Sequence, residues 1–188
     1  MSKVFIGGSR HVSRLAAPVR ARLDTIIGKG LPVVVGDANG ADKAVQQYLF
    51  SRSYPRVEVF CSGGVCRNNI GKWTTRQVDA DPRERGFSFY VAKDREMARE
   101  ADFGFMVWDG KSTGTLLNVL RLLRQHKKVV IYCVPEQKFA ELRGYQQWGD
   151  FIARYADDVR HETERKAALE DRTYGPDQRQ AFLPTAAA

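Results

Sequence analysis

Short, continuously apolar runs alternate along this chain with longer stretches in which apolar residues recur every three or four positions. The first pattern is typical of strands buried on both faces, and the second of helices that bury one face. The predicted strands are 4–8, 32–35, 57–60, 103–108 and 128–134, and the predicted helices are 18–28, 41–50, 89–101 and 113–126. Regular alternation of this kind predicts an α/β fold, in which a parallel sheet is covered by helices on both faces.

The chain divides by composition into three parts. Residues 1–135 hold the alternating units and are predicted to form one Rossmann-like, doubly wound parallel sheet. Residues 136–172 are predicted to be a helical extension, with a C-terminal amphipathic helix from Tyr145 to Arg172. Residues 173–188 are predicted to be disordered.

Two segments depart from this regular pattern. The segment Cys61–Gly86 is rich in glycine and arginine, and long irregular segments in compact domains are often lids or binding loops. The helix around Thr115–Leu123 is apolar almost all round, so it needs cover on two sides. That cover comes either from a second copy of the chain, which predicts a homodimer or higher homo-oligomer, or from the C-terminal helix.

The charge distribution favours an anionic ligand. The net charge is +8 over 188 residues, but residues 1–135 hold 22 Lys and Arg against 12 Asp and Glu, a net charge of +10. Such a body attracts nucleotides, phosphorylated metabolites or nucleic acid, although a solubilising surface explains the same excess.

The remaining composition narrows the class of protein. Three cysteines (Cys61, Cys66 and Cys133) are too few for a disulfide framework, and the Cys61–Cys66 spacing without further ligands does not indicate zinc. No apolar run is long enough for a membrane span, and the first residues lack a signal-peptide pattern. We therefore expect a cytoplasmic protein with no metal, no cofactor and no membrane partner.

Three glycine-bearing loops follow predicted strands and are the candidate ligand site, because ligands of open parallel sheets bind beyond the carboxyl ends of the strands. Glycine lets backbone N–H groups approach a phosphate, and the helix after each loop offers a positive N-terminus. The candidate ligand-binding residues are Gly8, Ser9, Arg10, Gly36, Asp37, Asn39, Gly40, Asp42, Asp109, Gly110, Ser112, Thr113, Gly114 and Thr115.

Two familiar phosphate motifs do not fit these loops. Gly110-Lys111-Ser112 lacks the earlier glycine of a P-loop, because Phe105 stands at that position. The first loop lacks the third glycine of a dinucleotide fingerprint, because Ser9, Arg10 and His11 follow Gly8 directly. The sequence therefore argues against a P-loop NTPase and against an ordinary NAD-dependent dehydrogenase.

The three loops together resemble the SLOG superfamily. The matching motifs are Gly-Ser-Arg at 8–10, Gly-Asp-Ala-Asn-Gly-Ala-Asp at 36–42 and Trp-Asp-Gly-Lys-Ser-Thr-Gly-Thr at 108–115. The YpsA-related branch is the most similar, with Lys93-Asp94, Met97-Ala98 and Ala101-Asp102 also matching. The resemblance covers residues 3–134 and implies a Rossmann-like fold that binds nucleotides or nucleotide-derived ligands.

Relatives within that superfamily imply three different activities. The cytokinin-activating phosphoribohydrolases cleave an N-glycosidic bond with the help of a loop glutamate. By the resemblance, the position of that glutamate is occupied here by Asn118, and asparagine cannot act as a base. The DNA-processing protein that loads recombinase onto single strands resembles this chain at residues 8–10 and 36–42. Further members are sensors of NAD-derived signals in antiviral systems.

Carboxylates near the predicted crevice are candidates for chemistry. Asp37, Asp42 or Asp109 could accept ribose hydroxyls or act on a glycosidic bond, with Asp109 and Asp37 the candidate catalytic residues. The alternative is structural, with Asp42 capping its helix and Asp37 holding the turn. Arg67 and Trp73 are a candidate lid, or part of an exposed basic loop.

The sequence favours a nucleotide-binding or NAD-derived-ligand-binding protein that acts as a sensor or carrier. The alternatives are a nucleotide N-glycoside hydrolase that uses another carboxylate, and a protein that binds single-stranded nucleic acid.

Overall fold

The computed structural model describes residues 2–78 and 87–174 as an α/β sandwich around one sheet. The strands are β1 (Val4–Gly8), β2 (Val33–Gly36), β3 (Val57–Ser62), β4 (Thr74–Val78), β5 (Phe103–Trp108), β6 (Val129–Cys133) and β7 (Lys138–Leu142). The helices are α1 (Ala17–Gly28), α2 (Ala41–Ser51), α3 (Phe87–Glu100), α4 (Thr113–Arg124), α5 (Tyr145–Ile152) and α6 (Asp157–Tyr174). The predicted α/β class and doubly wound parallel sheet are confirmed.

The seven strands lie in the order β4-β3-β2-β1-β5-β6-β7, and β7 alone among them is antiparallel to its neighbour. The chain winds from β1 outward to β4 and then returns through α3 to β5, on the other side of β1. The direction of winding therefore reverses between β1 and β5. At such a point the loops after the two adjacent strands run to opposite sides of the sheet. A crevice therefore opens between them at the carboxyl ends of the strands.

Alternate side chains of the central strands supply two separate cores. Val4 and Ile6 face α1 and α2, whereas Phe5 between them faces the layer of α3, α4, α5 and α6. In β5, Phe105 and Val107 belong to the core with α1 and α2, whereas Met106 and Trp108 belong to the other core. Burial on both faces explains the continuous apolar runs of the sequence.

Two edge strands and a break in the C-terminal helix differ from the sequence prediction. β4 forms within the segment predicted to be irregular, and β7 within the segment predicted to be purely helical. The helix predicted over 145–172 is two helices, α5 and α6, with a turn between them. Residues 79–86 of the long segment and residues 175–188 of the predicted disordered tail lie outside the described residues.

The apolar helix α4 is covered within the chain. α6 packs along α4, and Ala167 lies in the same core as Leu116 and Leu120. At the boundary, buried Arg121 of α4 forms an ion pair with buried Glu170 of α6, at 2.6 Å. Of the two sources of cover that the sequence left open, the C-terminal helix is the one observed. The apolar surface of α4 therefore does not by itself argue for a dimer.

None of the helices in the described part of the chain is long and apolar enough to cross a membrane.

Candidate functional site

A cleft of about 950 Å³ opens at the crevice between the carboxyl ends of β1 and β5. Eight of the residues predicted from the loops lie in its wall, namely Gly8, Arg10, Asp42, Asp109, Ser112, Thr113, Gly114 and Thr115. The other predicted residues, Ser9, Gly36, Asp37, Asn39, Gly40, Gly110, Arg67 and Trp73, are not among its lining residues. The three loops thus meet at one place, but only part of each faces the cleft.

The first loop is fixed by close backbone packing at Gly8. A Cβ at Gly8 would lie 2.2 Å from the carbonyl oxygen of Val107 and 2.9 Å from the Cβ of Ala41. Glycine is therefore required for β1 to end against both β5 and the start of α2. The backbone N–H of Ser9 continues this contact by donating to the Val107 carbonyl at 2.9 Å.

Ser9 joins the first loop to the third. Its side chain is fully buried, and its hydroxyl donates to Oδ2 of Asp109 at 2.6 Å. The other oxygen of Asp109 accepts from the backbone N–H groups of Lys111 and Ser112, at 3.0 and 2.7 Å. Burial alone raises the pKa of Asp109, but these hydrogen bonds outweigh it, so the pKa lies below its usual value. The ionised carboxylate thus shapes the loop.

The third loop ends at the N-terminus of α4, which opens into the cleft. Ser112 is the N-cap, and its hydroxyl accepts from the backbone N–H of Thr115. Within the described part of the chain, the backbone N–H groups of Thr113 and Gly114 have no acceptor. These two donors and the positive end of the helix dipole provide an anion-binding position.

The second loop is packed on the first and is tied to the segment after β3. Gly40 has a φ of 82°, and a Cβ there would lie 2.3 Å from the carbonyl oxygen of Arg10. The side-chain amide of Asn68 donates to the Asp37 carbonyl and to Oδ1 of Asn39. Asn39 and Gly40 therefore hold the loops together, while Asp42 faces the cleft.

Asp37 lies beneath the cleft, in a buried ion pair. Its carboxylate accepts three hydrogen bonds from Arg67, one from the backbone N–H and two from the guanidinium, and a fourth from Nζ of Lys93 at 2.8 Å. Burial alone would raise the pKa of Asp37, but the hydrogen bonds of Arg67 and the charge of Lys93 outweigh it and hold the pKa well below its usual range. Asp37 therefore positions Lys93, which lines the cleft.

Trp73, the other predicted lid residue, is anchored to the core. Its indole N–H donates to the Tyr54 carbonyl at 2.9 Å, and its backbone N–H donates to the side chain of Asn69. The ring packs against the apolar core beneath α2. Neither it nor Arg67, which holds Asp37, lies over the cleft in this structure.

Asp42 is a buried carboxyl in the cleft wall. It is 8% exposed and accepts one hydrogen bond within the described residues, from the backbone N–H of Ala38 at 3.3 Å. Burial raises its pKa from 3.8 to about 6, although the charge of Lys93 acts in the opposite direction. A buried carboxyl with a raised pKa in a cleft is a candidate for proton transfer to or from a ligand.

We expect Asp42→Asn to stabilise the protein above pH 7. Because the pKa of Asp42 is raised on folding, the contribution of this residue to the free energy of unfolding falls as the pH rises from about 4 to about 6. Over that range the folded state retains a proton that the unfolded state has released. Two pKa units correspond to about 3 kcal/mol, and the loss of a favourable charge in the first turn of α2 reduces the gain to about 2 kcal/mol. Urea unfolding at pH 8 measures this gain, and at pH 4 the two proteins should unfold alike. A variant less stable than wild type at pH 8 would contradict the assignment.

Several residues of the cleft wall were not among the sequence candidates. Lys93, Asp94 and Met97 come from α3, Leu117, Asn118 and Arg121 from α4, and Lys166 from α6. Nζ of Lys166 donates to the hydroxyl of Thr113 at 2.7 Å, which brings α6 to the N-terminus of α4. Lys93 and Asp94 carried part of the family resemblance, but no local pattern marked Arg121 or Lys166 as site residues. The wall holds five Lys or Arg (Arg10, Lys93, Lys111, Arg121, Lys166) and three Asp (Asp42, Asp94, Asp109).

The cleft wall combines donors, charge and apolar surface. No group of three or more His, Cys, Asp or Glu in the described ranges is arranged to hold a metal ion. The cations and the free amides suit an anion, and the side chains of Phe5, Met97 and Leu117 give the cleft an apolar part. Such a combination is typical of a site for a small ligand with one charged end.

Comparison with known proteins bears on the fold. No protein-family model matches the chain, and no curated protein sequence matches it significantly. Among solved structures, it is similar to DNA processing protein A from Helicobacter pylori, whose structure was reported with its mode of binding single-stranded DNA. The TM-score is 0.53 at 18% identity, covering 90% of this chain and 81% of the other. This similarity confirms the Rossmann-like fold; membership of the SLOG superfamily stays a prediction.

Proposed function

We propose that this protein binds a nucleotide or a nucleotide-derived phosphorylated ligand in the cleft between β1 and β5. The observation that carries the proposal is the N-terminus of α4, where the amides of Thr113 and Gly114 open into the cleft beside Lys111. Oriented amides, a helix dipole and a cation are the elements that bind phosphate in other α/β proteins.

The size and the lining of the cleft support a ligand larger than phosphate. Its volume of about 950 Å³ lies in the range of small-molecule sites. The apolar side chains of Met97 and Leu117 would receive the base, and the carboxylates of Asp42 and Asp94 would accept sugar hydroxyls. Asp109 would act indirectly, by holding the third loop against Ser9.

The proposal is tested by comparing ligands that differ only in phosphate. We expect adenosine 5′-monophosphate to bind saturably in isothermal titration calorimetry, and adenosine to bind at least about tenfold more weakly, since charge-assisted hydrogen bonds are lost. The same titration with the other nucleoside monophosphates shows which base is preferred. Titration with NAD shows whether a second phosphate adds affinity. Equal binding of adenosine and its monophosphate, or binding of neither together with no binding of NAD, would contradict the proposal.

Single-stranded nucleic acid is a second candidate ligand, which two observations favour. The structural neighbour binds single-stranded DNA, and residues 1–135 carry the whole positive excess of this chain. A thymidine oligonucleotide of about 20 residues should then bind with an affinity that falls steeply with salt. Tight oligonucleotide binding with weak mononucleotide binding would favour this candidate over the first.

An N-glycoside hydrolase is the enzymatic alternative, and Asp42 is the carboxyl that favours it. Asp37 and Asp109 are each engaged by several hydrogen bonds, whereas Asp42 combines a pKa of about 6 with a place in the cleft wall. A general acid with such a pKa could protonate the departing base. Chromatography of the titrated samples would reveal free base, and its loss in Asp42→Asn but not in Asp109→Asn would assign the proton donor.

A further inference from the structure

A disulfide closes the turn that follows β3. Cys61 at the end of β3 is paired with Cys66, and the two Cα atoms are 5.2 Å apart. The three cysteines of the sequence predict no disulfide framework, and the described residues contain this single short bridge. Cys61 is fully buried, whereas Cys66 is half-buried. Between them the chain turns through Gly63 and Gly64, with φ values of 83° and 84°.

The residue directly after the bridge, Arg67, is hydrogen-bonded to the carboxylate beneath the cleft. Arg67 follows Cys66 directly and donates to the carboxylate of Asp37 from its backbone N–H and its guanidinium. The same carboxylate accepts from Lys93, a residue of the cleft wall. A continuous set of hydrogen bonds therefore connects the residue after the bridge to a cation of the proposed ligand site.

The position of the bridge favours chemical exchange over a purely stabilising role. A disulfide that spans five residues constrains the unfolded chain less than one that closes a long loop. The turn beside Cys66 is open to solvent, and Val65 at its tip is 79% exposed. Of the two cysteines, the half-buried Cys66 is therefore the one that a thiol from solution reaches first, because Cys61 is fully buried.

We propose that Cys61 and Cys66 form a reversible thiol–disulfide exchange site that sets the anion affinity of the cleft. The second half of this inference rests on the proposed ligand-binding function. The partner is a small thiol of the glutathione class, and its disulfide is the oxidant for the reverse reaction.

Exchange at this site is a balanced two-electron reaction. The thiolate of the small molecule attacks Sγ of Cys66, the bond between the two cysteines breaks, and Cys61 leaves with the electron pair and takes up a proton. A second small thiol then attacks the mixed disulfide and releases Cys66. The protein gains two thiols, and two small thiols become one disulfide.

Reduction is expected to weaken anion binding. Without the bridge, the backbone at Arg67 is held to the second loop by its own hydrogen bond to Asp37 and through its neighbour Asn68. Arg67 is then positioned on Asp37 less firmly, and Lys93 becomes the main partner of that carboxylate. The negative charge of Asp37 then cancels more of the positive charge that Lys93 presents to the cleft. We expect adenosine 5′-monophosphate to bind reduced protein at least about fivefold more weakly than oxidised protein, at the low end of measured coupling between sites.

The first measurement is the redox state of the folded full-length chain in glutathione buffers. Rapid alkylation and mass spectrometry should show that Cys61 and Cys66 become modified together and reversibly, without unfolding by circular dichroism. Hydrogen exchange of the amides of residues 63–68 should increase in the reduced protein. Reduction that occurs only when the whole chain unfolds would overturn the exchange site, whether or not any nucleotide binds.

The second measurement is adenosine 5′-monophosphate affinity in the oxidised and reduced proteins. Arg67→Gln should lower the affinity of the oxidised protein and abolish the effect of reduction. Cys66→Ser should bind like reduced wild type under both conditions, and Cys133→Ser should behave like wild type. Equal affinity in the two redox states of wild type would overturn the coupling. Failure of both states to bind would count against the proposed function, while the alkylation result would still decide the exchange site.

Discussion

Arg121→Met is expected to lower the free energy of unfolding by about 3 kcal/mol, because it leaves a buried carboxylate without its main partner. Arg121 is 5% exposed and Glu170 is 3% exposed. The guanidinium donates to both oxygens of Glu170 and also to the side chain of Asn118. Methionine retains the apolar stem of the side chain, so the loss measures the charge and its hydrogen bonds. Urea unfolding at pH 7 measures the change.

Arg95→Met is the matched control for this substitution. Arg95 contacts the same carboxylate, at 3.3 Å, but its side chain is 29% exposed. Ion pairs that solvent reaches contribute little, so we expect a loss below about 1 kcal/mol. The double variant Arg121→Met with Glu170→Leu should recover much of the stability, because apolar residues often replace a buried ion pair without cost. If Arg121→Met unfolds like Arg95→Met, Arg121 does not fasten α6 to α4.

Gly114→Asp is expected to weaken adenosine 5′-monophosphate binding at least about thirtyfold, or about 2 kcal/mol, without loss of stability. A Cβ at Gly114 meets no atom within 4 Å, and the residue lies in the first turn of α4. A carboxylate there stabilises the helix N-terminus by a few tenths of a kcal/mol, but it repels a phosphate held by the same amides. Calorimetric titration and thermal unfolding of the same sample separate the two effects.

Gly114→Ala is the control, since it adds the carbon without the charge. We expect its affinity for adenosine 5′-monophosphate to remain within about threefold of wild type. If the alanine variant loses as much affinity as the aspartate variant, the backbone rather than the charge is responsible. If both variants bind as tightly as wild type, the N-terminus of α4 is not the phosphate position. The same pair tested with a thymidine oligonucleotide shows whether nucleic acid uses this position.

The central strands and their helices were predictable because buried positions appear in the sequence as continuous apolar runs or as apolar residues at helical spacing. Val33–Gly36 and Val129–Cys133 are buried at every position, as their apolar runs indicate. β4 has no apolar run, because all five of its residues are exposed or half-buried and it is held by pairing with β3. β7 is an exposed edge strand of the same kind, paired with β6. Main-chain pairing with a distant neighbour leaves little trace in the sequence of an edge strand.

The break between α5 and α6 shows a second limit of local pattern. Phe151, Tyr155 and Val159 recur at helical spacing across the turn, and all three face one core. A periodicity that follows a shared core is therefore continuous even where the helix is not. Asp157 and Asp158, in the first turn of α6, are the local signal that a second helix starts here.

The sequence by itself determined the α/β class, the central strands and the three loops that meet at the crevice, because burial on both faces and tight glycine turns leave local patterns. Only the tertiary structure separated Asp37, in the second loop, from Asp42, five residues later in the first turn of α2. Arg67 and Lys93 hold Asp37 beneath the cleft, whereas Asp42 faces the cleft. It also brought Arg121 and Lys166 to the cleft and closed the Cys61–Cys66 bridge. Those features depend on residues that are distant in the chain or on the path of a turn, and the packing of the folded chain decides both.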